Sequence, residues 1–140
     1  AAAFAALRSA TLGALPGEAC GLLLGSTHGP RLRIVAFVPL ANLSRARDRF
    51  ACDPVAFLRA LDCQQRPARS LVGFAHSHPD GATSPSATDR RELWRAHVHL
   101  IAAPARAGRV TVAAWFATAA GEFVAVPLSV EAAGTGAGPA

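Results

Sequence analysis

The sequence predicts an α/β domain: a mixed β-sheet of about six strands flanked by about three helices. Three observations point there. Helical and strand periodicities follow one another in the order helix, two strands, helix, strand, helix, three strands. Turn residues separate most of the apolar runs. The last three strands are consecutive, which predicts antiparallel pairing among them within the mixed sheet. A chain of 140 residues supports one good core, because folding at that size buries about two thirds of the surface that the unfolded chain exposes. The organisation expected is a single domain over 1–131 and a disordered tail over 132–140, "AAGTGAGPA".

Each element has its own signal. Residues 2–14 form an Ala-rich amphipathic pattern that Gly13 and the Pro16-Gly17 pair bring to an end. "ACGLLLGS" and "RLRIVAFVPL" are strands joined by the turn-rich "STHGP". In "DPVAFLRALDCQQR", Asp53 is an N-cap, Pro54 takes the first helical position, and apolar residues follow at helical spacing. "SLVGFAHSH" is the third strand and "PSATDRRELWRA" the third helix. "HVHLIAAPA", "RVTVAAWFAT" and "EFVAVPLSV" close the domain as three strands.

Composition narrows the function classes. Hydrophobic residues make up 51% and charged residues 16%, a globular balance rather than a disordered one. No run of about 18 apolar residues marks a membrane span. The N-terminal segment lacks the basic n-region of a signal peptide, and the location expected is cytoplasmic. The net charge of +5 rests on arginine alone, since lysine is absent. The arginines gather in "SRARDRF" and "DRRELWR" without the aromatic interleaving of a nucleic-acid surface. Cys20, Cys52 and Cys63 are odd in number and form no C-x-x-C pair, so each is expected to be a small buried hydrophobe in a reducing compartment.

The chemistry concentrates in "LVGFAHSHPDGATSPSATD". On a strand, His76 and His78 share a face with Val72 and Phe74, while Ser77 points the other way. Asp89 follows eleven residues after His78, and "PDGATSP" supplies the turn residues for the chain to come back over the histidines. Two imidazoles and one carboxylate leave an open fourth position, as a catalytic zinc requires. The same set is also the facial triad of non-haem iron. The competing reading is structural: Ser86 and Asp89 match a capping box, and Ser84 before Pro85 is an alternative N-cap. A hydrolytic metal also needs a carboxylate that binds no metal but moves protons. Glu18, at the head of the row Cys20, Leu22, Leu24, is the candidate, because burial there would raise its pKa. His28 sits in a turn and is expected to be solvated, while His97 and His99 alternate on a strand with no carboxylate on a suitable return loop after them and are expected to be sheet-face histidines.

Glu18, His76-Ser77-His78, seven residues, Ser86, two residues and Asp89 together resemble the E, H-[ST]-H-x(7)-S-x(2)-D signature of the JAMM (MPN+) metalloprotease family. "PGEACGLLLG" and "ANLSRARDRFACDPVAFLRAL" extend the resemblance to the small prokaryotic members over most of the chain. It implies a curved sheet akin to the cytidine-deaminase architecture and a Zn2+ ion held by His76, His78 and Asp89. Glu18 would be general base and acid on the zinc-bound water, and Ser86 the donor to the tetrahedral oxyanion. The reaction implied is hydrolysis of an amide or isopeptide bond after the C-terminal Gly-Gly of a ubiquitin-like or sulfur-carrier protein, whose extended tail could add to a free sheet edge beside the metal. Gly73 and Ala75 would either let that backbone approach closely or pack against a helix. The rival readings are a non-catalytic scaffold for a ubiquitin-like partner and a zinc deaminase, although the H-x-E and P-C-x-x-C elements of the latter are absent.

Overall fold

The computed structural model describes residues 1–132, so all but the first residue of the expected 132–140 tail lies outside the described residues. The elements run α1 (Ala2–Ala14), β1 (Cys20–His28), β2 (Arg31–Leu40), α2 (Pro54–Gln64), β3 (Ser70–Ser77), α3 (Ala87–Glu92), β4 (His97–Pro104), β5 (Val110–Ala117) and β6 (Phe123–Val126). The six strands form one sheet in the order β2-β1-β3-β4-β5-β6. All neighbours are antiparallel except β3 and β4, whose parallel pairing requires the crossover that carries α3.

α1 covers one face of the sheet and makes the core. Leu7 is fully buried among Leu23, Phe37, Ala75, Leu100 and Ala114, and the alanines around it let the helix lie close to the strands. Thr11, also buried, satisfies its hydroxyl by donating to the Leu7 carbonyl at 2.8 Å. Gly29 takes φ 57° in the turn between β1 and β2, a left-handed conformation that costs glycine nothing.

The opposite face is only partly roofed. Asp53 caps α2 by accepting from the Val55 amide at 2.9 Å, with Pro54 next, as the sequence predicts. Yet no residue of α2 is buried. Phe57 reaches Phe74 of β3 and Trp94, at ring-centroid distances of 6.3 Å and 5.5 Å, over a cavity of about 480 Å³ lined also by Leu58, Leu93 and His99.

Several expectations are corrected by packing. α3 spans only Ala87–Glu92 rather than 85–96. Leu93 turns extended so that Trp94 can lie against Phe74, and the Trp94 carbonyl accepts from His99 Nε2 at 2.7 Å. β6 stops at Val126 because Pro127 has no amide to pair. Val72 falls in a bulge where the β1–β3 register slips, and it packs toward the α1 core instead of sharing the face of Phe74 and His76. Cys20 is buried but Cys52 is half-buried and Cys63 exposed, so the three are not equivalent. Gly73 lets β3 approach β4, since a Cβ there would strike the Val98 carbonyl, and Ala75 belongs to the core. Finally, β3 is interior to the sheet and the edges are β2 and β6, so no free edge of this sheet runs beside His76.

Candidate metal centre and its cleft

The site is built where the start of β1 lies beside the end of β3. Cys20 pairs with His76 across the two strands, and the Ser77 amide donates to the Ala19 carbonyl at 2.9 Å. The Ser77 hydroxyl accepts from the Ala19 amide at 2.8 Å, so the residue between the two histidines ties the chain next to Glu18 onto β3. Asn42 holds the other side, its Nδ2 donating to the Glu18 carbonyl at 3.0 Å. Bonds to the main chain from both sides thus fix the path of the chain at Glu18, which its own side chain has no need to secure.

His76, His78 and Asp89 are all buried and offer their ligand atoms to one point. His76 Nε2 lies 3.1 Å from His78 Nε2 and 3.2 Å from Asp89 Oδ1, and His78 Nε2 lies 3.0 Å from Asp89 Oδ2. Atoms bound about 2.0–2.1 Å from a tetrahedral zinc would stand about 3.3 Å apart, close to each of these separations, with one Asp89 oxygen facing each imidazole. His78 Nδ1 donates to the Ala82 carbonyl at 3.0 Å, which turns Nε2 toward Asp89, where its proton bonds the carboxylate and, once that proton is lost, its lone pair can serve a metal. Three electron-pair donors converging in a buried place need a positive centre among them, and the set fits Zn2+.

Electrostatics agree with the crowding. Burial alone would raise the Asp89 pKa, but hydrogen bonds to His76 and His78 outweigh it and hold the carboxyl well below the usual range. Burial lowers His76, whereas for His78 the Asp89 carboxylate overcomes burial and raises it.

Asp89 owes its aim to α3. Its amide donates to Ser86 Oγ at 3.0 Å, and the Ser86 amide donates to Asp89 Oδ2 at 2.8 Å. Ser86, not Ser84, is therefore the N-cap, and the capping box is real. The return loop is braced by Trp115 Nε1, which donates to the Thr83 carbonyl at 2.8 Å, and by an Asp80 turn closed onto the Ala82 amide at 3.0 Å.

Glu18, Ser86 and His78 line one cleft of about 390 Å³ together with Pro16, Arg47, Asp48, Pro79 and Asp80. Glu18 is only 5% exposed, and that burial pushes its carboxyl up to about 7; the neighbouring acids Asp89, Asp48 and Asp80 push the same way, and His78 opposes them. Ser86 Oγ accepts from the Asp89 amide, so its hydroxyl proton is left for another acceptor.

The remaining histidines stay outside. His28 is exposed at the end of β1, while His97 and His99 lie on β4 and join no ligand group among the described residues. Three contributors escape notice in the sequence: the Ala82 carbonyl, the anchoring hydroxyl of Ser77, and Phe50, whose ring lies 4.9 Å from that of His76. Phe50 sits in an arginine-rich loop, and only the lone aromatic among its polar neighbours hints at it.

Residues 1–118 match the family model described as prokaryotic homologues of the JAB domain. The chain is 34% identical to the desampylase of Haloferax volcanii over 77% of its own length and 76% of that protein's. It is 35% identical to a probable TtuB-protein conjugate cleaving protease of Thermus thermophilus, over 57% of this chain and 52% of the relative. A Desulfitobacterium hafniense protein solved in solution superposes with TM-score 0.77 at 27% identity, covering 92% of this chain and 90% of that one. A JAB1/MPN domain protein from Archaeoglobus fulgidus shares the fold at TM-score 0.50 and 20% identity, covering 86% and 87% of the two chains.

Proposed function

The chain belongs to the prokaryotic JAB-domain family, and from that premise we propose that it is a zinc-dependent peptidase acting on conjugates or extended forms of a ubiquitin-like or sulfur-carrier protein. The bond cut is the amide or isopeptide bond that follows the partner's C-terminal Gly-Gly. The observation that carries the reading is the buried triangle of His76, His78 and Asp89 opening beside a cleft lined by Glu18 and Ser86. The names of the two relatives, a desampylase and a protease of TtuB–protein conjugates, support the substrate class.

His76, His78 and Asp89 would hold the ion, which when bound supplies Lewis acidity to a water and to the scissile carbonyl. Glu18 takes the proton from the attacking water and delivers it to the leaving amine; burial keeps its pKa near the range in which a carboxyl does both. The Ser86 hydroxyl donates to the oxygen that becomes anionic, a preorganised contribution of about 3 kcal/mol. Since β3 is interior to the sheet, the partner's tail reaches the site along the cleft between the 42–52 segment and Pro79-Asp80 rather than as an added strand of the sheet.

The test uses the purified protein loaded with zinc and a carrier protein extended past Gly-Gly. Cleavage after the second glycine, abolished by a chelator and restored by zinc, is the result expected. No cleavage of peptide-extended or lysine-linked carriers by zinc-loaded protein would sink the reading.

A further inference from the structure

We propose that Cys20 and Cys52 form a disulfide on oxidation, a covalent modification that pins the 42–52 segment against the site. The two sulfurs lie 3.0 Å apart although the residues are 32 positions apart in the chain. Both partners are held in place by backbone. Cys20 is the first residue of β1, paired with Leu40 on one side and His76 on the other. Cys52 forms an isolated bridge with Asn42, and the next rung is the Leu43 amide donating to the Ala51 carbonyl at 2.7 Å. Residues 42–43 and 51–52 thus make a small ladder that closes a loop and delivers the Cys52 sulfur to Cys20.

The loop it closes is part of the site. Arg47 and Asp48 line the cleft with Glu18, Arg49 and Phe50 line the apolar cavity beside Asp89, and the Phe50 ring packs on His76. With both thiols reduced, the segment is held by the ladder and by the Asn42 side chain. The cross-link adds a covalent anchor between its C-terminal end and the strand that pairs with His76.

A hydroperoxide is the oxidant class required. Cys52 is the half-buried member and Cys20 the buried one, so the Cys52 thiolate attacks the peroxide oxygen, breaking the O–O bond and releasing hydroxide, to give a sulfenic acid. The Cys20 thiol then attacks that sulfur, the S–S bond forms, the S–O bond breaks, and the proton leaves with the hydroxyl as water. Two thiols and one hydrogen peroxide become one disulfide and two waters. Cys63, exposed on α2, takes no part.

The proposal is independent of the hydrolytic reading, because mass and amide exchange report it without any substrate. Full-length C63S protein is treated with stoichiometric hydrogen peroxide and compared with the same protein kept in reductant. The expected result is loss of two hydrogen masses, a peptide map joining residues 20 and 52, a melting temperature higher by about 10 °C as a closed loop of this length implies, and slower amide exchange over residues 43–51. C52S in the same background should show none of these. An unchanged mass, oxygen addition at either sulfur without a cross-link, or a cross-link that leaves exchange over 43–51 unaltered would overturn it.

Discussion

Ser86 and Asp89 hold each other in both directions, the Asp89 amide donating to Ser86 Oγ at 3.0 Å and the Ser86 amide donating to Asp89 Oδ2 at 2.8 Å. Asp89 Oδ2 is also the oxygen that faces His78 Nε2 at 3.0 Å. The capping box and the carboxylate proposed to bind the metal are therefore parts of one structure. The helix start fixes the carboxylate, and the carboxylate completes the donor set.

Asp89→Asn separates the two functions. An amide oxygen still accepts from the Ser86 backbone, so the cap should survive, but the charge that suits a divalent cation is lost. We expect the chelated variant to melt within a few degrees of the chelated parent. Added zinc should stabilise the parent according to its concentration over its dissociation constant and leave the variant unmoved. Equal zinc-induced shifts in the two proteins would contradict the ligand assignment.

Ser86→Ala removes the cap oxygen and the spare hydroxyl proton together. Losing the cap costs about 1 kcal/mol, which lowers the melting temperature of a chain this long by about 3 °C. Losing a preorganised oxyanion donor costs about 100- to 1,000-fold in kcat. The signature is this disproportion: zinc still binds, stability falls slightly, and turnover collapses with KM little changed. A loss of kcat no larger than the stability change implies would make Ser86 a cap only.

Much of this was legible in the sequence, for physical reasons. The i, i+2 histidines, the turn-rich return and the S-x-x-D cap are local patterns, and a strand end or a first helical turn realises them wherever it occurs. The element order predicts a mixed sheet because helices alternate with the first strands while the last three strands are consecutive; the structure adds that α3 bridges the parallel pair β3 and β4. What the sequence hides depends on tertiary partners. Trp94 leaves helical geometry to pack on Phe74 and receive the His99 hydrogen bond, so α3 is short. Val72 changes face because β1 and β3 slip by one residue at a bulge. The interior place of β3, which removes the sheet edge expected beside the ligands, follows from its long-range pairing with both β1 and β4.

Glu18→Gln tests both the proposed base and the electrostatics of its burial. The folded pKa of about 7 lies above the ordinary 4.5, so the zinc-free folded state binds this proton more tightly than the unfolded chain does. That contribution is fully present below pH 4.5 and is lost as pH rises through about 7. The neutral isostere escapes the loss, and zinc-free E18Q should exceed the parent by about 3 kcal/mol at pH 8 while matching it at pH 4. Denaturant unfolding across that range measures the difference; a constant gap would refute the raised pKa. In the zinc-loaded enzyme the ion's charge draws the pKa down, so the acidic limb of kcat/KM should fall at or below about 7, and E18Q should bind zinc yet lose about 100-fold or more in rate.

Asn42 joins β2 to the cleft, and its side chain is used completely. Nδ2 donates to the Glu18 and Arg49 carbonyls at 3.0 Å and 3.3 Å, and Oδ1 accepts from the Ser44 and Ala51 amides, both at 2.9 Å. Alanine here leaves two amides and two carbonyls without their partner. Most of them lie near solvent and can recruit water, so the cost should be about 1–3 kcal/mol. The kinetic effect should be larger than that cost suggests, because the same bonds set the path of the chain at Glu18 and close the loop bearing Arg47 and Asp48. We expect Asn42→Ala to raise KM and lower kcat together, to speed amide exchange over residues 43–51, and to leave zinc affinity within a few-fold of the parent, since none of the three proposed ligands bonds to the Asn42 side chain. Weakened zinc binding with exchange over 43–51 unchanged would place the role of Asn42 in the ligand set instead of in the cleft wall.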